Sequence, residues 1–145
     1  MERNEFIKSL GLGIALVCTG SCMAGCGGSK AEDPTPAPGG SNVTIDLASQ
    51  LLSVGSFITI SGVLFVRLAA GNSTSSFIAT QATCPHQGGA LNWVQASNLI
   101  QCALHSSQYT TSGSIIRQPS DGGTTSALKV YSTSLSGTIL TAAVS

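Results

Sequence analysis

Beyond residue 42, apolar and polar positions form short runs that glycine interrupts about every eight to twelve residues. The runs are rich in Val, Ile, Thr and Ser, which suit a pleated, half-buried backbone. Residues 43–47 alternate, as in a strand with one buried face, whereas residues 63–68 are nearly all apolar, as in a strand buried on both faces. Other strands are predicted at 56–61, 77–82, 99–101, 114–117, 127–132 and 138–144, with one helical turn at 51–54. The pattern predicts an all-β domain at 43–145 without a helix of three turns.

The first 25 residues are predicted to be an export signal instead of part of the fold. Arg3 and Lys8 precede an apolar run of about ten residues, too short for a helix across a bilayer of roughly 30 Å. The sequence Met23-Ala24-Gly25-Cys26 resembles the lipobox of bacterial lipoproteins. That resemblance implies cleavage before Cys26 and attachment of lipid to its sulfur. A plain secretory signal with incidental cysteines is the alternative.

Residues 26–42 are predicted to be a flexible tether. The segment is rich in Gly, Pro and Ser and has no large apolar side chain, so it has nothing to bury. The expected location is therefore the cell envelope of a bacterium, with a lipid in the membrane and the domain in the periplasm or outside. The stretch Arg3-Asn4-Glu5-Phe6-Ile7-Lys8 resembles a degenerate twin-arginine signal, which leaves two export routes open.

Charge is sparse and excludes one class of partner. The net charge is zero and only 8% of residues are charged. A nucleic-acid-binding protein needs a basic stripe, and the domain cannot form one, so nucleic acid is not an expected partner. The charged residues beyond 42 are Asp46, Arg67, Arg117, Asp121 and Lys129.

Candidate chemistry is concentrated between residues 84 and 109. Both histidines of the chain and the only cysteines beyond residue 26 lie there, as Cys84-Pro85-His86 and, after 15 intervening residues, Cys102-Ala103-Leu104-His105. A disulfide between the two cysteines would contribute about 3 kcal/mol but leaves the histidines unexplained. Two Cys and two His also close a structural zinc site. The mixed pairing, one Cys and one His on each loop, favours a [2Fe-2S] cluster with thiolates on one iron and imidazoles on the other.

The same stretch resembles the Rieske iron-sulfur family, and the likeness extends past the four ligand-type residues. Gly88 and Gly89 match the backbone turn of the first cluster loop. Residues 107–113 and 115–119 look like the second loop and the proline loop of Rieske proteins from cytochrome bc and plastoquinol-oxidising complexes. The resemblance implies a Rieske-like antiparallel β sandwich with a small cluster-binding subdomain of two loops, at about 81–119.

Roles follow from the resemblance residue by residue. Cys84 and Cys102 are expected to ligate one iron through thiolates, and His86 and His105 the other through Nδ1. In the outer layer, the expected residues are Ser107 and Tyr109 as hydroxyl donors to sulfur, with Gly88, Gly89 and Pro119 shaping the loops. No catalytic residue is predicted.

The sequence departs from the family in three places. Gly89 and Leu104 stand where quinol-oxidising members carry an extra disulfide between the cluster loops, and Ser106 stands where glycine is common. These departures question membership of a quinol-oxidising complex without affecting cluster binding.

The leading functional hypothesis is a lipid-anchored electron carrier, in which electron and proton uptake can be coupled and a redox protein is the partner. The second is a small Rieske subunit of a periplasmic oxidoreductase or quinol-oxidising complex. A zinc-stabilised, non-redox interaction module is the alternative of a different class. A stand-alone enzyme is less expected than a carrier or subunit, because only 40 residues follow His105 and a catalytic iron domain does not fit there.

Overall fold

A computed structural model of the chain describes residues 41–145. The predicted signal at 1–25, Cys26 and nearly all of the predicted tether lie outside the described residues and stay predictions. Strand pairing begins at Ser41, inside the predicted tether and two residues before the predicted start of the domain. Within residues 41–145, no helix has the length and apolar character needed to cross a membrane.

The described chain is a pair of antiparallel sheets, which confirms the predicted all-β fold class. One sheet has six strands in the order β1-β10-β9-β4-β3-β2, and the other has four in the order β5-β6-β7-β8. Two three-residue 3₁₀ turns lie at Thr74–Ser76 and Gln95–Ser97. The strands are β1 Ser41–Asp46, β2 Phe57–Ile60, β3 Val63–Arg67, β4 Phe77–Gln81, β5 Leu91–Val94, β6 Leu99–Cys102, β7 Gln108–Tyr109, β8 Ile115–Arg117, β9 Val130–Ser136 and β10 Ile139–Val144.

Strand β3 divides the interior into two hydrophobic cores. Successive side chains of a strand point to opposite faces, so Val63 and Phe65 enter one core while Leu64 and Val66 enter the other. All four are at most 1% exposed. The nearly continuous apolar run at 63–68 therefore reflects burial on both faces, as predicted.

The first core is enclosed by the six-stranded sheet itself. Ile45 of β1 and Leu140 of β10 lie in the same buried cluster as Phe65 of β3 and Ala79 of β4. Because β1 and β3 are far apart in the strand order, their side chains meet only if the sheet folds over on itself. This is how a sheet with one apolar face buries it without a helix.

The second core fastens the four-stranded sheet to β3. Trp93 of β5, Ile100 of β6 and Tyr109 of β7 pack in one cluster with Leu64 and Val66. Cys84 and Cys102 belong to the same buried cluster. The segments that carry the candidate ligands are therefore anchored to the hydrophobic interior of the domain.

The predicted helical turn at 51–54 is wrong. Leu51 has a backbone φ of 52°, which is left-handed, and no helix forms there. Its carbonyl accepts a hydrogen bond of 2.8 Å from the Arg67 guanidinium, and its side chain is buried in the first core. Tertiary contacts thus decided the backbone of a segment whose local pattern suggested a helix.

Three strands also differ from the prediction. β5 and the two-residue β7 lie in segments for which the sequence analysis predicts no strand. The strand expected at 127–132 begins only at Val130 and runs to Ser136. The amides of Leu128 and Lys129 are instead bonded to the Gly113 carbonyl at 2.9 Å and the Gln81 side chain at 2.9 Å, which holds them in a loop.

Candidate metal centre

The first cluster loop follows β4 and is closed by its own backbone. The amide of Cys84 donates to the carbonyl of Gly89 at 2.8 Å, and the amide of Gly88 donates to the carbonyl of Cys84 at 3.1 Å. Gly88 has φ of 74°, a left-handed conformation that glycine adopts without a Cβ clash. The turn buries Cys84 and leaves His86 near the surface.

The second cluster loop connects β6 to β7 and is tied to the first. The amide of Cys102 donates to the Ser107 carbonyl at 2.9 Å, and the amide of Ala103 donates to the Ala90 carbonyl at 2.9 Å. Ser106 has φ of 53°, in the left-handed region. That conformation explains why glycine would suit this position, where the sequence differs from the common family pattern.

The position of the family's extra disulfide is filled by packing. A Cβ built on Gly89 would lie 2.8 Å from both Cys102 Sγ and Leu104 Cγ, closer than real Cβ atoms approach. Leu104 therefore covers Gly89 directly, and the two loops meet through this contact and the Ala103 to Ala90 hydrogen bond.

The four ligand-type side chains are arranged as two pairs. Cys84 and Cys102 are free thiols, 3% and 2% exposed. The rings of His86 and His105 lie edge to face with centroids 5.3 Å apart. Within residues 41–145, the only group of three potential metal-ligand side chains with ligand atoms within 4.8 Å of one another is His86, His105 and Asp121. The sulfurs do not join it, whereas four ligands of one zinc would lie about 3.5 to 4 Å apart.

Hydroxyl groups surround the sulfur of Cys84. Its Sγ lies 3.3 Å from Tyr109 Oη and 3.5 Å from Ser107 Oγ, and both hydroxyl-bearing residues are fully buried. Burial by itself raises the pKa of the Cys84 thiol, but hydrogen bonds from Ser107, Tyr109 and the His86 amide outweigh it and lower that pKa to about 7. Both residues predicted as hydroxyl donors therefore lie beside the Cys84 sulfur, and their role at a bound cluster stays a prediction.

Tyr109 is held in place by a residue that the sequence did not single out. Thr125 Oγ1 lies 2.7 Å from Tyr109 Oη, and Ser107 Oγ lies 3.2 Å from it. Burial raises the pKa of the Tyr109 hydroxyl, and its hydrogen bond to Cys84 raises it further, so the group keeps its proton as a donor.

The two histidines have different surroundings. His86 places Nδ1 2.9 Å from the Thr124 carbonyl oxygen and Nε2 2.9 Å from Asp121 Oδ2, so both ring nitrogens face acceptors. The hydrogen bond to Asp121 raises the pKa of His86 and lowers that of the Asp121 carboxyl. His105 Nδ1 is buried and has no hydrogen-bond partner among the described residues.

The loop after β8 closes over this pair of histidines. Pro119 is buried there, and the amide of Ser120 donates to the His105 carbonyl at 2.8 Å. Gly123 lies so close to the His86 ring that a side chain at that position would strike it. Asp121, which contacts His86 and lies near His105, is the site residue that sequence reasoning missed; its signal was an isolated charge just after the proline of a nearly uncharged domain.

The donor set fits a [2Fe-2S] cluster. Two buried thiols lie on one side, two imidazoles on the other, and the unpartnered Nδ1 of His105 is the atom the resemblance assigns to iron. His86 must turn its Nδ1 away from the Thr124 carbonyl to ligate through the same atom. No protein hydrogen bond within the described residues competes for Nδ1 of His105.

The fold and the site together define an all-β protein with a two-loop centre of paired cysteines and histidines. The Rieske [2Fe-2S] domain model matches residues 48–132, more than half of the chain. The chain therefore belongs to the Rieske [2Fe-2S] family, and its cofactor is a [2Fe-2S] cluster. The resemblance inferred from the sequence is confirmed, and the zinc and disulfide interpretations of the cysteine and histidine pairs are rejected.

Two curated relatives are iron-sulfur subunits of cytochrome b6-f complexes. The chloroplastic subunit of Chlamydomonas reinhardtii is 35% identical over 52 residues, which is 36% of this chain and 25% of the relative. The subunit of Chlorobaculum tepidum is 38% identical over 48 residues, 33% of this chain and 26% of the relative. The matched segment thus spans about a quarter of the length of each relative.

A solved structure shows the same fold. The crystal structure of the cyanobacterial plasma membrane Rieske protein PetC3 from Synechocystis PCC 6803 superposes with a TM-score of 0.53 at 24% identity. The match covers 69% of this chain and 97% of that chain. It confirms the predicted Rieske fold class.

Proposed function

We propose that this chain is a lipid-anchored, exported electron carrier whose cluster is ligated by Cys84 and Cys102 on one iron and by His86 and His105 on the other. The observation that carries the assignment is the division of the site into a buried sulfur pair and a nearby imidazole pair on two joined loops. When bound, the cluster supplies a one-electron redox couple.

The protein itself sets the reduction potential of the cluster and makes its imidazole side accessible to a partner. Ser107 and Tyr109 direct hydroxyl groups at the Cys84 sulfur, which withdraws negative charge and favours the reduced state. The second core around Cys84 and Cys102 excludes water from the sulfur side. The exposed fraction of the side chain is larger on the imidazole side, 11% for His86 and 27% for His105.

The proposed docking surface for a redox protein is the tip beside His105. Leu104 precedes His105 and is 58% exposed, although its Cγ covers Gly89. Asp121 is the one charged side chain in contact with the histidines among residues 41–145. A partner would therefore meet a mostly apolar tip, where association depends on shape and burial more than on charge steering.

Electron paramagnetic resonance of the full-length chain, purified in detergent and reduced with dithionite, tests the assignment. A Rieske centre ligated as proposed gives a reduced signal with a low average g value, because imidazoles hold one iron. A spectrum typical of a cluster with four cysteine ligands, or no iron at all, would contradict it.

Coupled proton uptake belongs to the same proposal. An added electron favours a proton on the imidazoles, since it increases the negative charge beside them. Redox titrations of the full-length chain at several pH values test this: the potential should fall with rising pH, and a constant potential over the whole range would contradict it.

Lipid attachment is proposed at Cys26, after cleavage of residues 1–25. The support is the Met23-Ala24-Gly25-Cys26 sequence followed by a segment suited to a tether. Radiolabelled palmitate should appear on the wild type and disappear in Cys26→Ser, whereas Cys22→Ser, a cysteine in the same signal region, should keep the label. Label retained in Cys26→Ser would overturn the site.

A second candidate is the iron-sulfur subunit of a quinol-oxidising complex. The two relatives, each an iron-sulfur subunit of a cytochrome b6-f complex, favour it. Quinol-oxidising members of the family carry an extra disulfide at the positions of Gly89 and Leu104. These two residues cannot form it, which favours a small electron carrier over a subunit of such a complex. Purification from native membranes distinguishes the two, because a subunit co-purifies with a cytochrome and a carrier does not.

A further inference from the structure

Asp121 lies beside the proposed metal centre but is not one of its four proposed ligands. It lies in the loop between β8 and β9, and its Oδ2 is 2.9 Å from His86 Nε2 and 3.7 Å from His105 Nδ1. Within residues 41–145, two contacts join a carboxylate oxygen to the nitrogen of a histidine or another basic side chain. Asp121 makes both of them. A negative charge therefore sits against both imidazoles of a domain that otherwise has very few charges.

The carboxylate is held in this position by its surroundings. The amide of Gly123 donates to Asp121 Oδ1 at 3.0 Å, which orients the carboxylate. The amide of Ser120 ties the loop to the His105 carbonyl at 2.8 Å, and the amide of Thr125 donates to Gln118 Oε1 at 2.9 Å. The closeness of Gly123 to the His86 ring allows the loop to lie against it. The charge is thus fixed in place by three hydrogen bonds instead of swinging freely in solvent.

We propose that Asp121 is a positioning residue that fixes a negative charge at the histidine side of the cluster and lowers its reduction potential. The proposal rests on the proposed ligand assignment. The carboxylate oxygen lies 2.9 Å from a nitrogen of His86 and 3.7 Å from a nitrogen of His105, so its charge is beside both imidazoles whichever nitrogen of His86 holds iron. A carboxylate next to ligating histidines raises the electron density that they offer to the metal.

The direction of the effect follows from electrostatics. Reduction adds one negative charge to the cluster, so a fixed carboxylate nearby destabilises the reduced state relative to the oxidised state. Asp121 therefore opposes Ser107 and Tyr109, whose hydroxyl groups favour the reduced state from the sulfur side. The potential of this protein is accordingly set by two opposed groups on opposite sides of the site.

Protein-film voltammetry of the full-length holoprotein tests the proposal with Asp121→Asn. The substitution keeps the shape and removes the charge, so the reduction potential should shift upward while iron content and the reduced resonance signal persist. The matched control is Asp46→Asn, which removes the same charge from β1 in the other sheet and should leave the potential unchanged. Equal potentials for Asp121→Asn and Asp46→Asn would overturn the proposal.

A second variant keeps the test decisive if Asp121→Asn binds less iron. Asp121→Glu retains the charge and should keep the potential near that of the wild type; an upward shift as large as that expected for removal of the charge would overturn the proposal. Failure of the ligand assignment is distinguishable, because it would show in the wild type as an absent Rieske resonance signal. A wild type with that signal and a potential unaffected by Asp121→Asn would refute the Asp121 role alone.

Discussion

The sulfur side and the imidazole side of the metal centre are built differently. The two cysteines, Ser107 and Tyr109 are nearly or fully buried in the second hydrophobic core. The two histidines lie nearer the surface, under a loop that carries an exposed carboxylate. A buried side permits weak dipoles to act strongly on the cluster, since little water screens them. An exposed side permits exchange of electrons with a partner.

The largest expected effect comes from removing a ligand on the imidazole side. His105→Ala should abolish the visible absorption of the cluster, because iron loses one of its two imidazole ligands. The Nδ1 atom of His105 is buried and has no hydrogen-bond partner among the described residues. Gln87→Ala, an exposed neighbour of His86, is the control and should keep the spectrum. A normal spectrum in His105→Ala would refute the ligand assignment.

The next effect concerns the contact that joins the two loops. Gly89→Ala should destabilise the domain by about 1 to 3 kcal/mol, because the added methyl overlaps both Cys102 Sγ and Leu104 Cγ. Urea unfolding of the full-length chain measures this. Gly62→Ala is a control with open space around it, although its φ of 79° adds backbone strain. An unchanged free energy of unfolding in Gly89→Ala would contradict the overlap.

Removing one hydroxyl tests the sulfur side more finely. Tyr109→Phe and Ser107→Ala should each lower the reduction potential, since each takes a hydrogen-bond donor from the Cys84 sulfur. A differential hydrogen bond of about 1 kcal/mol corresponds to roughly 40 mV for one electron. Thr110→Ala, which loses a hydroxyl outside the sulfur contacts, serves as the control. An unaltered potential in both variants, with iron retained, would contradict the donor role.

The smallest effect is expected at Ser106. Glycine at position 106 would relieve the backbone strain at φ of 53°, which stabilises the folded domain, but it would also gain freedom in the unfolded chain, which offsets part of that effect. Ser106→Gly should therefore stabilise the domain by up to about 1 kcal/mol. Ser61→Gly, at φ of 48° in the turn before β3, should give a similar gain far from the cluster loops. Thermal unfolding measures both. A clear loss of stability in Ser106→Gly alone would mean that its side chain contributes to the loop.

The family and its cofactor were predictable from the sequence because they depend on local order along the chain. Cys84 with His86, and Cys102 with His105, are close in sequence, so a loop brings each pair together without any knowledge of the rest of the fold. The burial of β3 on both faces was also predictable, because its apolar residues follow one another along the chain. Ser107 and Tyr109 were found because their spacing from Cys102 matched a known loop.

What only the tertiary structure decided are the contacts between residues distant in sequence. Asp121 is 35 residues from His86, and Thr125 is 16 residues from Tyr109, so no local pattern signals either contact. Leu51 was assigned the wrong backbone because Arg67, 16 residues away, holds its carbonyl. The sequence by itself determined which chemical groups the centre uses, since ligands and hydroxyl donors follow a local spacing. The folded chain determined which charge lies beside them, because that depends on how the loop after β8 packs over the histidines.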